Sequence, residues 1–526
     1  MPSPPRTAAG GGATPVWLRC MHFIQRCSSE RHLHIIHAIF LTHGFHHHIV
    51  AISRLILAAC SLRTTTGLLY ASLILRHSPA PPNSFIYNTL IHAHARGPEP
   101  HCALHYFSMM LRSPEPFSTP DHHSFPFALA ACVAVPDFSF GTQIQAIVIK
   151  NGLAATDHYV QTAALRLYAQ VQDDLIQARK LFDEIPQTDA VHVDVLMNGY
   201  LRRGFPFDAL ELFKEMFVDG LIPDKHVITT ALTACSHAGA LKEGAWIHMC
   251  LLNEHPGFLE DAFISSSLVS MYAKCGCIEE AVKVFDSAPE RNSFMWASMI
   301  GGFAVHGLAN DAFCCLNRMK DEDGVKPDGI VILSVMAACA HAGLVDEGLR
   351  LLAEMISRYE VVPEHEHYSC AVNMLCRVGR LADALELIRR MPMRPLASVW
   401  GSLLTGCGIH NNVELAELAV AELQTINGEG EDDDGVFVQM SNIFLNSNKL
   451  EDARRIRKLI GRRGVKKTAA CSEIEVDGEV SSFVAGDPLH PQLLDIWSVL
   501  NIFRDHAGDE SGFESGDFEV GVLSFG

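Results

Sequence analysis

The side chains best equipped for chemistry are the histidines. Seven of the 28 crowd into one stretch, His32, His34, His37, His43, His46, His47 and His48, and neutral imidazole is a common metal ligand. A metal centre needs a fixed donor geometry. This irregular spacing does not supply one, so the stretch reads as polar helix faces and a loop, and no metal is expected. The 16 cysteines include no C-x-x-C pair; they are expected to be small buried hydrophobes in a reducing compartment. No Gly-rich phosphate loop and no nucleophile elbow occurs. The chain is therefore expected not to be an enzyme, with no catalytic residue and no cofactor. What remains is a basic run, Arg454, Arg455, Arg457, Lys458, Arg462, Arg463, Lys466 and Lys467, eight cations in fourteen residues. Such a cluster can hold phosphates, and it reads equally well as a solvated helix face.

Stepping outward, 526 residues exceed one ordinary globular core. With 48% hydrophobic and 19% charged residues the chain has ample apolar surface to bury. Its net charge of -19 runs against the basic footprint of a nucleic-acid binder. Two acidic segments supply much of that charge: Glu429, Glu431, Asp432, Asp433 and Asp434, then Asp505, Asp509, Glu510, Glu514, Asp517 and Glu519. No apolar run reaches the roughly 18 residues a membrane span needs. Residues 1–29 carry Arg6, Arg19 and Arg26 and no acidic residue, the composition of an organellar transit peptide.

The elements that would position any site come from a repeat. The segments "CALHYFSMM", "QARKLFDEI", "DALELFKEM", "EAVKVFDSA", "DAFCCLNRM", "EGLRLLAEM" and "DALELIRRM" share one pattern, with weaker copies "FGTQIQAIV" and "EGAWIHMCL" between them. Equivalent positions fall at Phe107, Gln145, Phe182, Phe213, His248, Phe285, Leu316, Leu352 and Ile388, spaced 38, 37, 31, 35, 37, 31, 36 and 36 residues apart. Apolar residues at i, i+3 and i+4 make each copy an amphipathic helix. Upstream of the copies, helical stretches end at Gly97, Gly204, Gly276, Gly307 and Gly343, where a left-handed C′ residue is expected. Junctions such as "GLIPD" and "GVKPD" stop one helix and cap the next. Each unit is a helix-turn-helix, and lone pairs cannot bury their apolar faces. Stacked pairs can, so an all-α, right-handed superhelical α-solenoid is expected. Near the C-terminus "SEIEVDGEVSSF" alternates around Asp477-Gly478, which predicts a short β-hairpin.

"FIYNTLI", "SFPFALAAC", "SLVSMYAKCGCIEEAVKVFD" and "SVMAACAHAGLVDEGLRLL" resemble plant pentatricopeptide repeats, and the alternating unit lengths resemble the PLS subclass. The W-L-G-Y spacing of tetratricopeptide repeats is absent. Residues 1–16 are expected to be a transit peptide or disordered leader, 17–83 degenerate N-terminal repeats, and 84–396 the array of ordinary, long and short repeats. Residues 397–466 resemble the family's E extension and 467–492 part of its E+ region, with Glu473 where relatives carry tryptophan; 493–526 forms an acidic tail. The zinc deaminase that closes some relatives needs H-x-E and P-C-x-x-C, and neither motif occurs.

The resemblance implies one RNA base per repeat, read by the fifth and last residues of each unit. Carried onto matching positions, Ser53 with Asn83 and Ser266 with Asn292 resemble adenine readers. Asn88 with Asp121 resembles a uracil reader, and Thr162 with Asp189 a guanine reader. Asp194 with Asp224 and Ala297 with Asp328 depart from the usual pairs. Long units, here with Pro126 and Leu333, are poor readers. The implied target is A-U-x-G-x-x-A, read 5′ to 3′. Taken singly, each Ser, Thr or Asn also reads as a helix N-cap.

The implied function is site recognition for C-to-U editing of single-stranded organellar RNA. Mitochondrion is preferred over chloroplast. A DYW-type deaminase-bearing relative and multiple organellar RNA editing factor proteins would be partners in trans, with no membrane involved. Two alternatives stay open: an RNA stabilisation, processing or splicing factor, and a protein-binding helical scaffold.

Overall fold

A computed structural model describes residues 13–172, 175–427, 434–463, 471–476, 479–484 and 495–502. Residues 429, 431–433, 466, 467, 477, 478 and 505–519 named above fall outside that set. The chain is an all-α solenoid of helix hairpins, divided into two compact units: Met1–His306 with Asn317–Val325, and Gly307–Leu316 with Lys326–Gly526. Within the first, pairs such as Ser84–Ala95 with His101–Arg112, Ala190–Arg202 with Pro206–Val218, and Ala262–Lys274 with Ile278–Ser287 follow one another. The second holds Gly329–Ala342 with Val345–Tyr359, His365–Arg377 with Leu381–Arg389, Ala397–Ile409 with Val413–Asn427, and Asp434–Asn446 with Leu450–Arg463. It also holds two antiparallel strands, Cys471–Val476 and Glu479–Val484, paired from Cys471 opposite Val484 to Val476 opposite Glu479. Among the described residues, no helix is long and apolar enough to cross a membrane.

The two helices of a pair have different jobs. Within each unit, first helices pack on the first helices of neighbouring pairs, whereas second helices such as Pro206–Val218 pack on their own first helix and the next one. The close first-helix layer depends on small residues. A Cβ on Gly199 would lie 2.9 Å from Ala169 Cβ, and one on Gly406 2.4 Å from Cys376 Cβ. Successive second helices are joined at the surface by ion pairs such as Arg179–Glu215 at 2.8 Å and Lys214–Glu243 at 3.3 Å. Pairs this exposed contribute little each.

The repeat register is visible in the core. Phe107, Phe182, Phe213, Phe285, Leu316, Leu352 and Ile388 are buried. The two polar members are explained by what faces them. Gln145 Oε1 accepts from the Tyr168 hydroxyl at 2.6 Å, and His248 Nδ1 lies 3.0 Å from the Tyr272 hydroxyl. Each tyrosine belongs to the next first helix and brings a polar group that an apolar residue would leave unpaired.

Helix ends follow the sequence with one exception. Gly204, Gly276, Gly307 and Gly343 have φ of 78°, 87°, 69° and 73°, the left-handed termination. Gly97 does not adopt positive φ; its constraint is space, since a Cβ there would meet Leu68 Cδ1 at 2.9 Å. The residue after a first helix often reaches back one pair. His306 Nε2 lies 2.8 Å from Ala273 O, His410 Nε2 2.8 Å from Cys376 O, and Arg203 bonds Gln172 O. These contacts occupy carbonyls that a helix end leaves without an intrahelical partner.

Candidate nucleic-acid interface

The last residue of each reading unit accepts backbone N–H groups at the start of the next first helix, and it does so through one oxygen. Asp121 Oδ1 accepts from the His123 and Ser124 N–H groups, Asp189 Oδ1 from Val191 and His192, and Asp224 Oδ1 from His226 and Val227. Asn83 Oδ1 takes the Ile86 N–H, Asn292 Oδ1 the Met295 N–H, and in the second unit Asp328 Oδ1 the Val331 N–H. Capping and base reading are therefore compatible. A carboxylate has a second oxygen and an asparagine an NH₂ group that the cap does not use.

The fifth residues differ in their freedom. Ser53, Asn88 and Ser266 are only 7%, 8% and 5% exposed. The serine hydroxyls donate to Ile49 O at 2.7 Å and Ala262 O at 2.6 Å, which leaves each oxygen only its lone pairs. Asn88 Nδ2 donates to Asp121 Oδ1 at 2.9 Å, so this pair meets directly. The fully buried Ser124 hydroxyl sits 2.7 Å from Asn88 Oδ1 and fixes the amide orientation. Burial pushes the Asp121 carboxyl up, but the Asn88 and Ser124 bonds outweigh it and hold its pKa below the ordinary value. Half-buried Thr162 donates to His158 O at 2.9 Å and stands 3.3 Å from His192 Nε2. Asp194 accepts from Thr230 Oγ1 at 2.7 Å and from Asn198 Nδ2 at 3.0 Å. Burial raises the Asp194 pKa, opposed by the Thr230 bond and reinforced by Asp224. Ala297 is half-buried and offers no polar atom beyond its backbone.

The 158–189 pair holds a cluster that the sequence reading did not anticipate. His158 Nε2 lies 3.1 Å from Asp189 Oδ2, and His192 Nδ1 lies 2.9 Å from Asp189 Oδ1. His192 is fully buried. Burial lowers its pKa, with Asp189 pulling the other way.

Relatives and family matches follow this architecture. The PPR repeat family matches residues 85–114, 191–221, 263–293, 294–323, 333–359 and 366–396, and the E motif family matches 410–475. A pentatricopeptide repeat-containing protein of Arabidopsis thaliana is 46% identical over 488 residues, covering 92% of this chain and 96% of its own length. This chain is a pentatricopeptide repeat protein. It belongs to the PLS type of the family, in the E subgroup. A second Arabidopsis thaliana relative, named chloroplastic/mitochondrial, is 34% identical over 80% of this chain and 67% of itself. Among solved structures, PPR10 in complex with an 18-nt psaJ RNA element superposes with a TM-score of 0.59 at 16% identity. The match covers 86% of this chain and 65% of that one.

Two further features of this pentatricopeptide repeat face were missed in the sequence. In seven first helices the second residue is apolar and exposed: Val50, Phe85, Tyr159, Val191, Phe263 and Phe294 are 39–72% exposed, and Ile330 repeats the pattern in the second unit. The Phe263 and Phe294 rings lie 5.8 Å apart. The thirteenth residues include exposed Arg96, Arg202, His237 and Lys274, with His341 and Arg377 in the second unit. Eleven residues at 100° each bring positions two and thirteen to within about 20° around a helix, roughly 16 Å apart along it. The signal was available as a recurrence at fixed distance from the caps, but each residue taken singly resembles ordinary surface.

Six of the eight cations of the basic run lie on the helix Leu450–Arg463. There Arg455 pairs with Asp452 at 3.2 Å and Arg457 Nε donates to Ser441 Oγ at 3.2 Å. Arg454 and Lys458 are exposed, while the side chains of Arg462 and Arg463 fall outside the described residues.

Proposed function

We propose that this chain binds single-stranded RNA along its first helices and serves as the site-recognition factor for C-to-U editing of an organellar transcript. The observation that carries the reading is the convergence of three groups on one helix face in the 84–121, 190–224 and 262–292 units: a polar pair at the fifth and last positions, an exposed apolar second residue (Phe85, Val191, Phe263), and a cation at the thirteenth (Arg96, Arg202, Lys274). Unstacked bases are recognised by hydrogen bonds to their edges and by stacking, with phosphates held electrostatically. Asn88 with Asp121 offers a donor beside an acceptor, suited to uracil. Thr162 with Asp189 suits guanine, whose N1–H and N2–H₂ donate to a carboxylate. Ser53 with Asn83 and Ser266 with Asn292 keep the adenine assignment, the serine acting as acceptor. Asp194 with Asp224 and Ala297 with Asp328 are assigned no base. Arg96, Arg202 and Lys274 are assigned to phosphate, and Arg454, Arg455, Arg457, Lys458, Arg462 and Arg463 to phosphates on the 3′ side.

The E motif supports the editing role, with a DYW-type deaminase-bearing protein and multiple organellar RNA editing factors recruited in trans. Relatives named chloroplastic/mitochondrial or mitochondrial support an organelle; the arginine-bearing, acid-free N-terminal stretch suits either one, and the mitochondrion is our preference over the chloroplast. Sequencing organellar RNA from a knockout plant is expected to show at least one cytidine no longer converted. Intact conversion everywhere, with altered transcript ends or intron retention instead, would point to stabilisation or splicing.

A further inference from the structure

Base reading and capping account for Asp189 but not for the two histidines, His158 and His192, that converge on it. Each residue brings one ligand-capable atom, and these atoms all lie within 4.8 Å of one another. His192 is completely buried, and its Nδ1 has no hydrogen-bond partner although Asp189 Oδ1 stands 2.9 Å away. A buried polar nitrogen left this way is costly, and a cation placed between the nitrogen and the carboxylate satisfies both. His158 approaches the carboxylate from its other oxygen, at 3.1 Å, and is itself exposed enough to leave an entry path.

We propose that His158 Nε2, the Asp189 carboxylate and His192 Nδ1 form a site for one divalent transition-metal ion of the zinc class. Two imidazoles and a carboxylate suit zinc or cobalt and not the hard, all-oxygen preference of calcium or magnesium. The surrounding contacts orient the ligands. Thr162 Oγ1, 3.3 Å from His192 Nε2, occupies that nitrogen and leaves Nδ1 for the metal. The Val191 and His192 N–H groups hold Asp189 Oδ1 at 3.0 and 3.1 Å, which fixes the carboxylate. Three protein ligands leave a coordination position for water or another donor. The site shares Asp189 and Thr162 with the proposed guanine reader, so metal binding is tested without RNA and its failure leaves the RNA reading standing.

Titration of the chelator-treated full chain with cobalt(II), free of RNA, tests this directly. The expected result is one equivalent with visible d–d bands and none of the thiolate-to-metal charge transfer that cysteine ligation gives. H158Q and D189N should each lose that equivalent, binding about tenfold or more weaker, with unchanged far-UV circular dichroism. Asparagine keeps the cap that Asp189 provides, and residue 158 is exposed enough to tolerate glutamine. Cobalt binding by H158Q equal to that of the wild type would overturn the proposal. So would a wild-type chain that takes up no cobalt, or takes it up with thiolate bands alone.

Discussion

Asn88 and Asp121 touch each other at 2.9 Å, and the two predict different consequences when changed. In D121N the cap survives, because asparagine caps nearly as well as aspartate. Stability should therefore fall by less than about 1 kcal/mol, while base preference at that repeat changes; chemical denaturation and RNA titration read the two separately. N88D sets a second carboxylate against Asp121 under a buried serine and should cost about 1–3 kcal/mol. His94 offers a pH test away from the interface. It is 3% exposed with neither ring nitrogen partnered, and burial lowers its pKa, partly offset by Glu99. A depressed folded-state pKa means that the unfolded chain binds the proton more readily. Its stabilising share is intact above the ordinary histidine value of about 6.5 and is lost as pH falls through the lower folded value. H94F should flatten the loss of stability between neutral and mildly acidic pH. Equal slopes for wild type and variant would rule this group out. At this scale the sequence was least informative. The positions of Ser53 and Ser266 were legible, but not that their hydroxyls are spent on helix carbonyls. The histidines at 32–48 are crowded in sequence, whereas His158 and His192 come together only when helices some thirty residues apart stack.

At the scale of helices, much was readable because amphipathic periodicity, left-handed glycines and capping side chains are local properties. Gly204, Gly276, Gly307 and Gly343 end their helices as their spacing predicts. Gly97 departs; it is followed directly by Pro98, which restricts the backbone of the residue before it. The closeness of first helices was hidden, since it depends on which small residue meets which. Gly406→Val, placing carbon where Cys376 Cβ already lies within 2.4 Å of the missing side chain, should destabilise by about 1–3 kcal/mol in thermal or denaturant unfolding. Phe263 and Phe294 make the opposite prediction. Both are more than half exposed, so F263A and F294A should leave the unfolding midpoint nearly unchanged. If bases stack there, each should weaken RNA binding by about 1–3 kcal/mol.

For the whole chain, the difficulty raised by a net charge of -19 is one of distribution. The two acidic segments hold eleven of the 60 acidic residues and the rest of the chain stays acidic, yet exposed cations recur on the proposed RNA-facing helix face at Arg96, Arg202, Lys274 and Arg377. Charge counted over the sequence could not show this; charge placed on a repeat can. Replacing Arg96, Arg202 and Lys274 with glutamine should weaken binding to all RNA sequences alike and flatten its salt dependence. The measurement that bears most directly on the account is an equilibrium titration of the purified chain with two short single-stranded RNAs. One carries A-U-x-G-x-x-A, and the other differs only by adenine in place of the guanine opposite Thr162 and Asp189. Tighter binding of the first, with the preference lost in T162A, is the predicted result. Equal affinity for both RNAs, or no affinity for either, would contradict it.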